Sequence, residues 1–196
     1  QPSLSIESAC GSGSVAFREA FANVVAGFYD CLIVSGVEKV THTGTDWTTT
    51  YFAYCSDFFY EGQAGASFPG LFASMARAYL TEFDATEEDF AKVAVKNHQN
   101  GLLNPKAHLQ KNITIDDVMN SAVVASPLKL YDCCLFSYGA SSVILCSVKF
   151  AKAHGGDYVE VIGSGRGGSP AALQGREHMT TIPSTKIAAK AAYDMA

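Results

Sequence analysis

The stretch ESACGSGSVAFREAFANVVAG (residues 7–27), followed by CLIVSG (residues 31–36), decides the fold class of this chain. Apolar residues recur at helical spacing over Val15–Val25, and Gly27 provides a helix end. The continuous apolar run that follows predicts a strand buried on both faces. With residues 3–9 as an earlier strand, the order strand, tight turn, helix, strand predicts a parallel sheet and an α/β fold.

The rest of the chain changes to a helical texture and then returns to strands. Thr86 with Asp89, and Thr114, are predicted to cap two of the helices. Helices are predicted at residues 71–83, 87–97, 115–120 and 148–154, and strands at 140–147 and 158–162. An Ala-rich helical pattern over residues 185–196 has no Gly or Pro stop, which predicts a chain that is part of something longer.

The composition excludes several classes of protein. The 196 residues carry a net charge of −5 and show no basic stripe, which argues against nucleic-acid binding. No apolar run approaches the roughly 18 residues needed to cross a membrane, and the start lacks a secretory leader pattern. The six cysteines form no CxxC pair, so no metal site is predicted. A reducing, cytoplasmic compartment is expected, or a peroxisomal one if the source is eukaryotic.

Cys10 is the candidate catalytic nucleophile. It stands in a Gly- and Ser-rich turn before the predicted helix, where the helix dipole and unpaired backbone N–H groups stabilise a thiolate. The same N–H groups can receive the oxyanion of an attacked thioester, and Gly11 and Gly13 leave room for a substrate. A small cysteine buried in a Gly-rich turn fits the same residues, so the pattern alone leaves both interpretations open.

Four motifs follow one another in a fixed order along the chain. They are Cys-x-Ser at residues 10–12, a strand ending in Gly-Val-Glu-Lys at 36–39, Lys-Asn-His-Gln-Asn-Gly with Asn-Pro at 96–105, and Ser-Pro-Leu-Lys-Leu-Tyr-Asp-Cys at 126–133 with Gly-Ala at 139–140. Together they resemble the thiolase family, in particular its sterol-carrier-protein-type (acetyl-CoA acetyltransferase-like) subfamily, over essentially the whole chain.

The resemblance implies a thiolase fold, a layered α-β-α half-domain on a mixed sheet, with a mostly helical loop domain and the start of a second half-domain. It places the N-terminal half-domain at residues 1–42 and the loop domain at 43–126. The return to the first sheet is then at 127–150 and the start of the C-terminal half-domain at 151–196. The Gly-His-Pro and His-Asp-Cys-Phe motifs with which thiolases complete their site do not occur in this sequence, so an internal portion is expected.

The resemblance also implies a set of substrate- or CoA-binding residues, namely Ser12, His98, Asn100, Cys134 and Gly139. Other interpretations fit three of them. His98 equally suits a helix-end histidine that bonds a carbonyl group, and Asn100 suits a turn. Cys134 fits a packing role as well as a place beside the arm of the coenzyme.

The implied activity is acyl transfer that makes or cleaves the carbon–carbon bond of a 3-ketoacyl-CoA through an acyl-enzyme on Cys10. Coenzyme A is then a substrate, and no permanently bound cofactor is expected. The family implies a homodimer or tetramer, and some members pair with a zinc-ribbon and OB-fold subunit.

Three related functions compete with this one. A ketoacyl synthase shares the fold and the helix-start cysteine, but the Asn97-His98 motif argues against it. A sterol side-chain aldolase of the same subfamily would have Cys10 replaced. A non-catalytic subunit that binds acyl-CoA or scaffolds an assembly is disfavoured by the intact Cys-x-Ser motif, and the absence of the C-terminal motifs keeps it open.

Two further stretches attract attention. Residues 163–168 (GSGRGG) match the dinucleotide pattern GxGxxG, but Ser169-Pro170 follows where a helix should begin. A flexible crossover is therefore predicted there. The aromatic-rich residues 51–60 fit a bulky acyl group, a core or a subunit interface equally well.

Overall fold

The computed structural model describes residues 2–196, which separate into two units. Unit 1 comprises the chain up to Lys39 with residues 138–169 and 182–196, and unit 2 comprises residues 40–137 and 170–181. Both units contain helices and strands, as expected of an α/β chain. The four domain ranges given above are not tested by this division and stay predictions.

Seven α-helices and four strands form the regular structure of the described residues. The helices are α1 (Ser12–Val25), α2 (Thr45–Ala53), α3 (Phe68–Glu82), α4 (Glu87–Leu102), α5 (Ile115–Met119), α6 (Val148–His154) and α7 (Pro183–Met195). The strands are β1 (Cys31–Glu38), β2 (Val123–Ala125), β3 (Leu128–Lys129) and β4 (Gly139–Cys146). Within this part of the chain, no helix combines the length and the apolar character that crossing a bilayer requires.

Unit 1 is built on the pair β1 and β4, with α1, α6 and α7. The two strands run antiparallel over their full length, with Cys31 opposite Cys146 and Glu38 opposite Gly139. Helix α1 begins directly after the cysteine turn, and Gly27 follows it with a left-handed φ of 76°. The helices predicted at residues 148–154 and 185–196 are confirmed as α6 and α7.

The sheet of unit 1 differs from the predicted one. Residues 3–8 and 158–162 form no strand, and within the described residues β1 pairs with β4 alone, so the parallel βαβ sheet is not found. Nor are β1 and β4 buried on both faces, since Ile33 is 71% exposed and Ile144 68%. The apolar runs correctly predicted two strands, but a run of apolar residues does not specify which strand lies beside it.

The GSGRGG stretch packs closely against α7. A Cβ atom at Gly163, Gly165 and Gly167 would overlap the carbonyl oxygens of Ala192, Ala188 and Ser184, respectively. These three glycines are therefore required because the two backbones approach each other closely. They have a packing role that neither a dinucleotide loop nor a flexible crossover would give them.

Unit 2 is mainly helical, as the sequence predicted for this part of the chain. Helices α3, α4 and α5 are confirmed within a few residues, except that α4 continues to Leu102. Three elements were not predicted from the poorly periodic residues 41–67, namely a 3₁₀ turn at Thr41–Thr43, α2 and a π-helical turn at Phe58–Gly62. A short hairpin, β2–β3, surrounds the cis peptide bond between Ser126 and Pro127.

The predicted caps fix the start of the two helices that carry the core of unit 2. The Asp89 carboxylate accepts from the Thr86 N–H at 2.9 Å, and the Asp117 carboxylate accepts from the Thr114 N–H at 2.8 Å. Between these helices lies a cluster of buried apolar side chains, made up of Ala91, Ala94, Ile113 and Val118. This cluster holds α4 against α5 and positions the cavity described below.

Candidate active site

Cys10 lies in a single 3₁₀ turn, Ala9–Gly11, that leads directly into α1. The preceding residue, Ala9, has a φ of 48°, a left-handed conformation that costs a non-glycine residue about 1 kcal/mol or more. Cys10 itself is exposed, which contradicts the interpretation of a cysteine packed inside a Gly-rich turn. The thiol is accessible at the N-terminal end of a 14-residue helix.

A network of short hydrogen bonds holds this turn. Through Oε1, the Glu7 carboxylate accepts from the Ala9 N–H at 2.7 Å and from the Ser12 hydroxyl at 2.9 Å. The Ser12 Oγ in turn accepts from the Ser8 N–H at 2.8 Å. The hydrogen bond from Ser12, followed by the one from Ala9, holds the pKa of Glu7 below its ordinary value. One carboxylate therefore ties together both sides of the turn that carries the thiol.

The Ser12 hydroxyl has a local role that the sequence did not reveal. Besides its contacts with Glu7 and Ser8, its Oγ lies 2.7 Å from the Ala9 carbonyl oxygen. A hydroxyl has one proton, and an ionised carboxylate is a stronger acceptor than a neutral carbonyl, so Ser12 donates to Glu7 and its oxygen lies close to the Ala9 carbonyl. In this arrangement the hydroxyl is occupied within the turn, whereas the sequence predicted it as a substrate contact.

Unit 2 contains a cavity of about 520 Å³ beside α4. Most of its wall surface is apolar, although polar residues outnumber apolar ones in the lining, and such a mixture is found in small-molecule sites. The apolar lining residues are Phe90, Val93, Ala94, Leu109, Leu128 and Leu135. The polar or titratable ones are Asn97, His98, His108, Tyr131, Asp132, Cys133, Cys134 and Ser137.

His98 lines this cavity from the last turns of α4. Its Nδ1 lies 3.2 Å from the Lys111 carbonyl oxygen, and its ring meets the Tyr131 ring edge-on at 5.8 Å. Because a carbonyl can only accept, Nδ1 of His98 donates the hydrogen in this contact. Both interpretations of His98 are therefore compatible with the structure: it bonds a carbonyl group and it faces a cavity.

His108 is a cavity residue that the sequence analysis did not select. Its Nδ1 lies 2.6 Å from the Ser137 hydroxyl. Close by, Lys111 Nζ donates to the Tyr131 hydroxyl at 2.5 Å, and this bond raises the pKa of Lys111. No motif surrounds His108, and only the fold brings it beside His98, so sequence pattern gave no signal for it.

The vicinal cysteines differ in environment. Cys133 is half-buried, and burial, followed by the nearby Asp132 and Cys134, raises the pKa of its thiol. A thiol that holds its proton is a poor nucleophile, so Cys133 is unsuited to acyl transfer. Cys134 is exposed and lines the cavity.

Asp132 contributes an unusual group to the same wall. Its Oδ2 accepts from the Lys129 N–H at 2.8 Å. Its Oδ1 is buried and has no hydrogen-bond donor among residues 2–196. A buried oxygen without a donor is costly, so Asp132 is held in this wall through its other oxygen.

The structure groups the predicted site residues in two places. Cys10 and Ser12 share the turn in unit 1, whereas His98 and Cys134 share the cavity in unit 2. Asn100 lies in α4 outside the cavity lining, and Gly139 begins β4 opposite Glu38. Across the described residues, no group of three or more His, Cys, Asp and Glu side chains is arranged to hold a metal ion.

Fold and site together define an α/β protein with an exposed cysteine at a helix start and a helical unit that contains a cavity. The family model of the thiolase N-terminal domain matches residues 1–149. The chain belongs to the thiolase family, as its motifs predicted.

Individual relatives agree with this assignment. An acetyl-CoA acetyltransferase of Methanothermobacter thermautotrophicus is 40% identical over the whole chain, which covers 50% of that protein. The benzoylsuccinyl-CoA thiolase subunit BbsB of Thauera aromatica is 38% identical over 77% of the chain and 38% of its own length. The chain thus spans half, or less, of these curated relatives.

A solved structure confirms the predicted fold class. The Ltp2-ChsH2(DUF35) aldolase aligns with 94% of this chain and 49% of its own, with a TM-score of 0.78 and 25% sequence identity. The small antiparallel sheets and the high helix content of the present chain are therefore compatible with a thiolase-type fold.

Proposed function

We propose that the protein is an acyl-CoA C-acyltransferase of the thiolase type, in which Cys10 carries the acyl group. The observation that supports this most directly is an exposed thiol at the N-terminal end of α1, in a turn fixed by hydrogen bonds. Chains named acetyl-CoA acetyltransferase and benzoylsuccinyl-CoA thiolase are among its relatives.

In thiolysis, the Cys10 thiolate attacks the keto carbon of a 3-ketoacyl-CoA. The bond between that carbon and the next one breaks, and its electron pair leaves on the departing CoA ester, which takes up a proton. The thiol of a second CoA then attacks the Cys10 thioester, and the acyl-CoA product leaves as the Cys10 sulfur is released. This two-step path replaces one difficult displacement by two easier ones. In the opposite direction the same steps form the bond by Claisen condensation.

The cavity in unit 2 supports a second part of the proposal, a binding site for substrate or coenzyme. Its largely apolar wall suits an acyl group or the pantetheine arm. We assign His98 and Cys134 to this binding role. Asn100 and Gly139 lie outside the lining, and their predicted roles rest on the family resemblance alone.

Two further proposals concern the type of acyl group and the assembly of the protein. The exposed aromatic residues Trp47, Tyr51, Tyr54, Phe59 and Tyr60 suit either a bulky acyl substrate or a subunit contact. We propose that the chain forms a homodimer or tetramer, and that a zinc-ribbon and OB-fold protein is a partner subunit. Two relatives support an assembly, because one is named a subunit and the other a complex with a DUF35 chain.

Trapping of the acyl-enzyme tests the central proposal. The full-length protein is mixed with acyl-CoA, quenched in acid and digested, and the peptide that carries Cys10 is weighed by mass spectrometry. We expect an added acyl mass on this peptide and none on the peptide that carries Cys133 and Cys134. The Cys146→Ala variant, altered in β4, serves as the matched control and should acylate normally.

Two results would contradict the proposal. One is carbon–carbon bond cleavage with no acylated Cys10 at any quench time, which would favour an aldolase-type reaction. The other is the absence of both acylation and turnover in the intact protein, which would favour a non-catalytic subunit that binds acyl-CoA.

A further inference from the structure

We infer that Glu7 is a positioning residue that holds the Cys10 turn in its reactive geometry through two hydrogen bonds to a single carboxylate oxygen. The inference rests on the proposed role of Cys10 as nucleophile. Glu7 lies three residues before Cys10, in a segment without regular secondary structure, and its side chain is exposed.

The first step of the argument is that this turn is strained. Ala9 has a φ of 48°, and L-residues other than glycine, asparagine and aspartate rarely adopt this conformation. A strained residue persists only where its surroundings fix it. Because Ala9 directly precedes Cys10, its backbone conformation sets the direction in which the thiol leaves the turn.

The second step is that Glu7 binds the backbone N–H of Ala9. The Ala9 N–H donates to Glu7 Oε1 at 2.7 Å, and the Ser12 hydroxyl donates to the same oxygen at 2.9 Å. Ser12 is the first residue of α1. Glu7 therefore connects the residue before the nucleophile to the helix after it, and the connection passes around Cys10.

The third step distinguishes geometry from charge. Both donors bind one oxygen, so a glutamine side chain can keep both hydrogen bonds while losing the charge. An aspartate keeps the charge, but it is one methylene shorter and cannot reach both donors from the same backbone. If Glu7 acts by position, glutamine should preserve its function better than aspartate. If it acts by its charge on the thiolate, the order should be reversed.

The experiment uses the full-length protein in five forms: wild type, Glu7→Gln, Glu7→Asp, Glu7→Ala and the control Glu160→Ala, an exposed glutamate outside the turn. For each form, the rate of Cys10 alkylation by iodoacetamide is followed by peptide mass spectrometry, and kcat and KM are measured with an acyl-CoA. Thermal unfolding of each variant is recorded in parallel.

We expect Glu7→Ala and Glu7→Asp to lower kcat and the Cys10 alkylation rate about tenfold or more, because a small displacement of a reacting atom carries a large kinetic cost. KM should change less than about threefold, since the substrate pocket is untouched. Glu7→Gln should stay within about threefold of wild type, and Glu160→Ala should match wild type. A general loss of structure would not produce this split between kcat and KM, nor the rescue by glutamine.

The possible failures are distinguishable. If wild-type Cys10 neither acylates nor alkylates faster than Cys134, the proposed function fails and the inference fails with it. If wild-type Cys10 is reactive but Glu7→Ala equals wild type, or Glu7→Asp exceeds Glu7→Gln, the inference alone is overturned. If Glu7→Ala does not fold, the relative activity of the glutamine and aspartate variants still decides whether Glu7 acts by position.

Discussion

The two units differ in where their apolar residues lie. In unit 2, Ile113 and Val118 are 2% and 1% exposed and pack with Ala91 and Ala94 between two capped helices. In unit 1, the buried apolar residue is Ala20, and the apolar strands β1 and β4 remain largely open. The helical unit therefore has a core of its own, whereas the unit that carries the candidate nucleophile presents strand faces that need cover.

This difference shows that apolar sequence and burial are separate properties. A strand run such as CLIVSG is the sequence of a strand covered on both faces. Here the same residues lie in a two-stranded ribbon, and such a ribbon is marginal without further packing. Exposed apolar faces of this kind mark surfaces where another segment or another chain packs.

The largest effect is expected on turnover, for Cys10→Ser. This variant removes the proposed nucleophile of unit 1 and leaves its packing unchanged. Serine preserves the shape, but its hydroxyl is a far weaker acid than a thiol, so the helix dipole cannot supply a useful alkoxide. Turnover of the full-length protein should fall by about a thousandfold or more, roughly 4 kcal/mol of transition-state stabilisation, with no acyl-enzyme after an acid quench. Near-normal thiolysis in this variant would end the assignment of Cys10 as nucleophile.

The next largest effect is expected on stability, and it compares one variant in each unit. Ile113→Ala removes a fully buried side chain from the core of unit 2 and should cost about 3 kcal/mol of unfolding free energy. Ile33→Ala, at a position 71% exposed in β1, should cost less than about 0.5 kcal/mol. Urea unfolding of this chain measures both. Equal losses would show that the faces of β1 are covered by another segment or a second copy.

A smaller effect is expected where the glycine segment meets α7. Gly165→Ala places a Cβ on the Ala188 carbonyl oxygen, so the helix must shift, at about 2 kcal/mol. Gly168→Ala is the matched control, because a Cβ there meets nothing within 4 Å. Thermal unfolding should separate the two variants clearly. If both behave alike, the close packing of this segment on α7 is not a source of stability.

The smallest effect concerns the cap of α4 and depends on pH. The hydrogen bond from the Thr86 N–H is the main cause that lowers the pKa of Asp89 from 3.8 to about 2. A pKa lowered on folding contributes stability that is complete above the unfolded pKa and is lost as the pH falls through the folded one. The stability difference between wild type and Asp89→Asn should therefore be constant near neutral pH and shrink between about pH 4 and pH 2. A difference that does not change with pH would mean that the ionised carboxylate is not the group that caps the helix.

Much of the fold could be predicted because the signals are local. Helical spacing predicted α1, Thr86 and Thr114 predicted two caps, and apolar runs predicted β1 and β4. Strand pairing could not be predicted, since the partner of β1 lies more than a hundred residues away and the run itself carries no record of it. Helix α2 was missed because residues 41–67 mix Thr, Gly and aromatic residues with little periodicity.

The candidate site was predictable in part for the same reason. Cys10 stands in a recognisable turn, so its place before α1 follows from adjacent residues, whereas its exposure became known only from the structure. Glu7 was not selected from the sequence, because its proposed role depends on the left-handed conformation of Ala9. His108 reaches the cavity wall only through the folding of unit 2, and no short motif marks it. Asp132 lies in the motif at residues 126–133, but the motif alone did not place it in a cavity wall.

The glycine segment that packs on α7 also sets the register between the two backbones. Two residues of an extended chain advance about 6.6 Å, and four residues of an α-helix advance about 6 Å. Gly163, Gly165 and Gly167 therefore meet three successive helical turns with a slip of only about 0.6 Å per step. Inserting one residue inside this segment would reverse the alternation and turn side chains onto the helix. The spacing thus fixes the position of α7 along its own axis. A Gly-x-Gly-x-Gly run, together with a later helix that has a small residue at every fourth position, can therefore indicate a helix register as well as a phosphate loop.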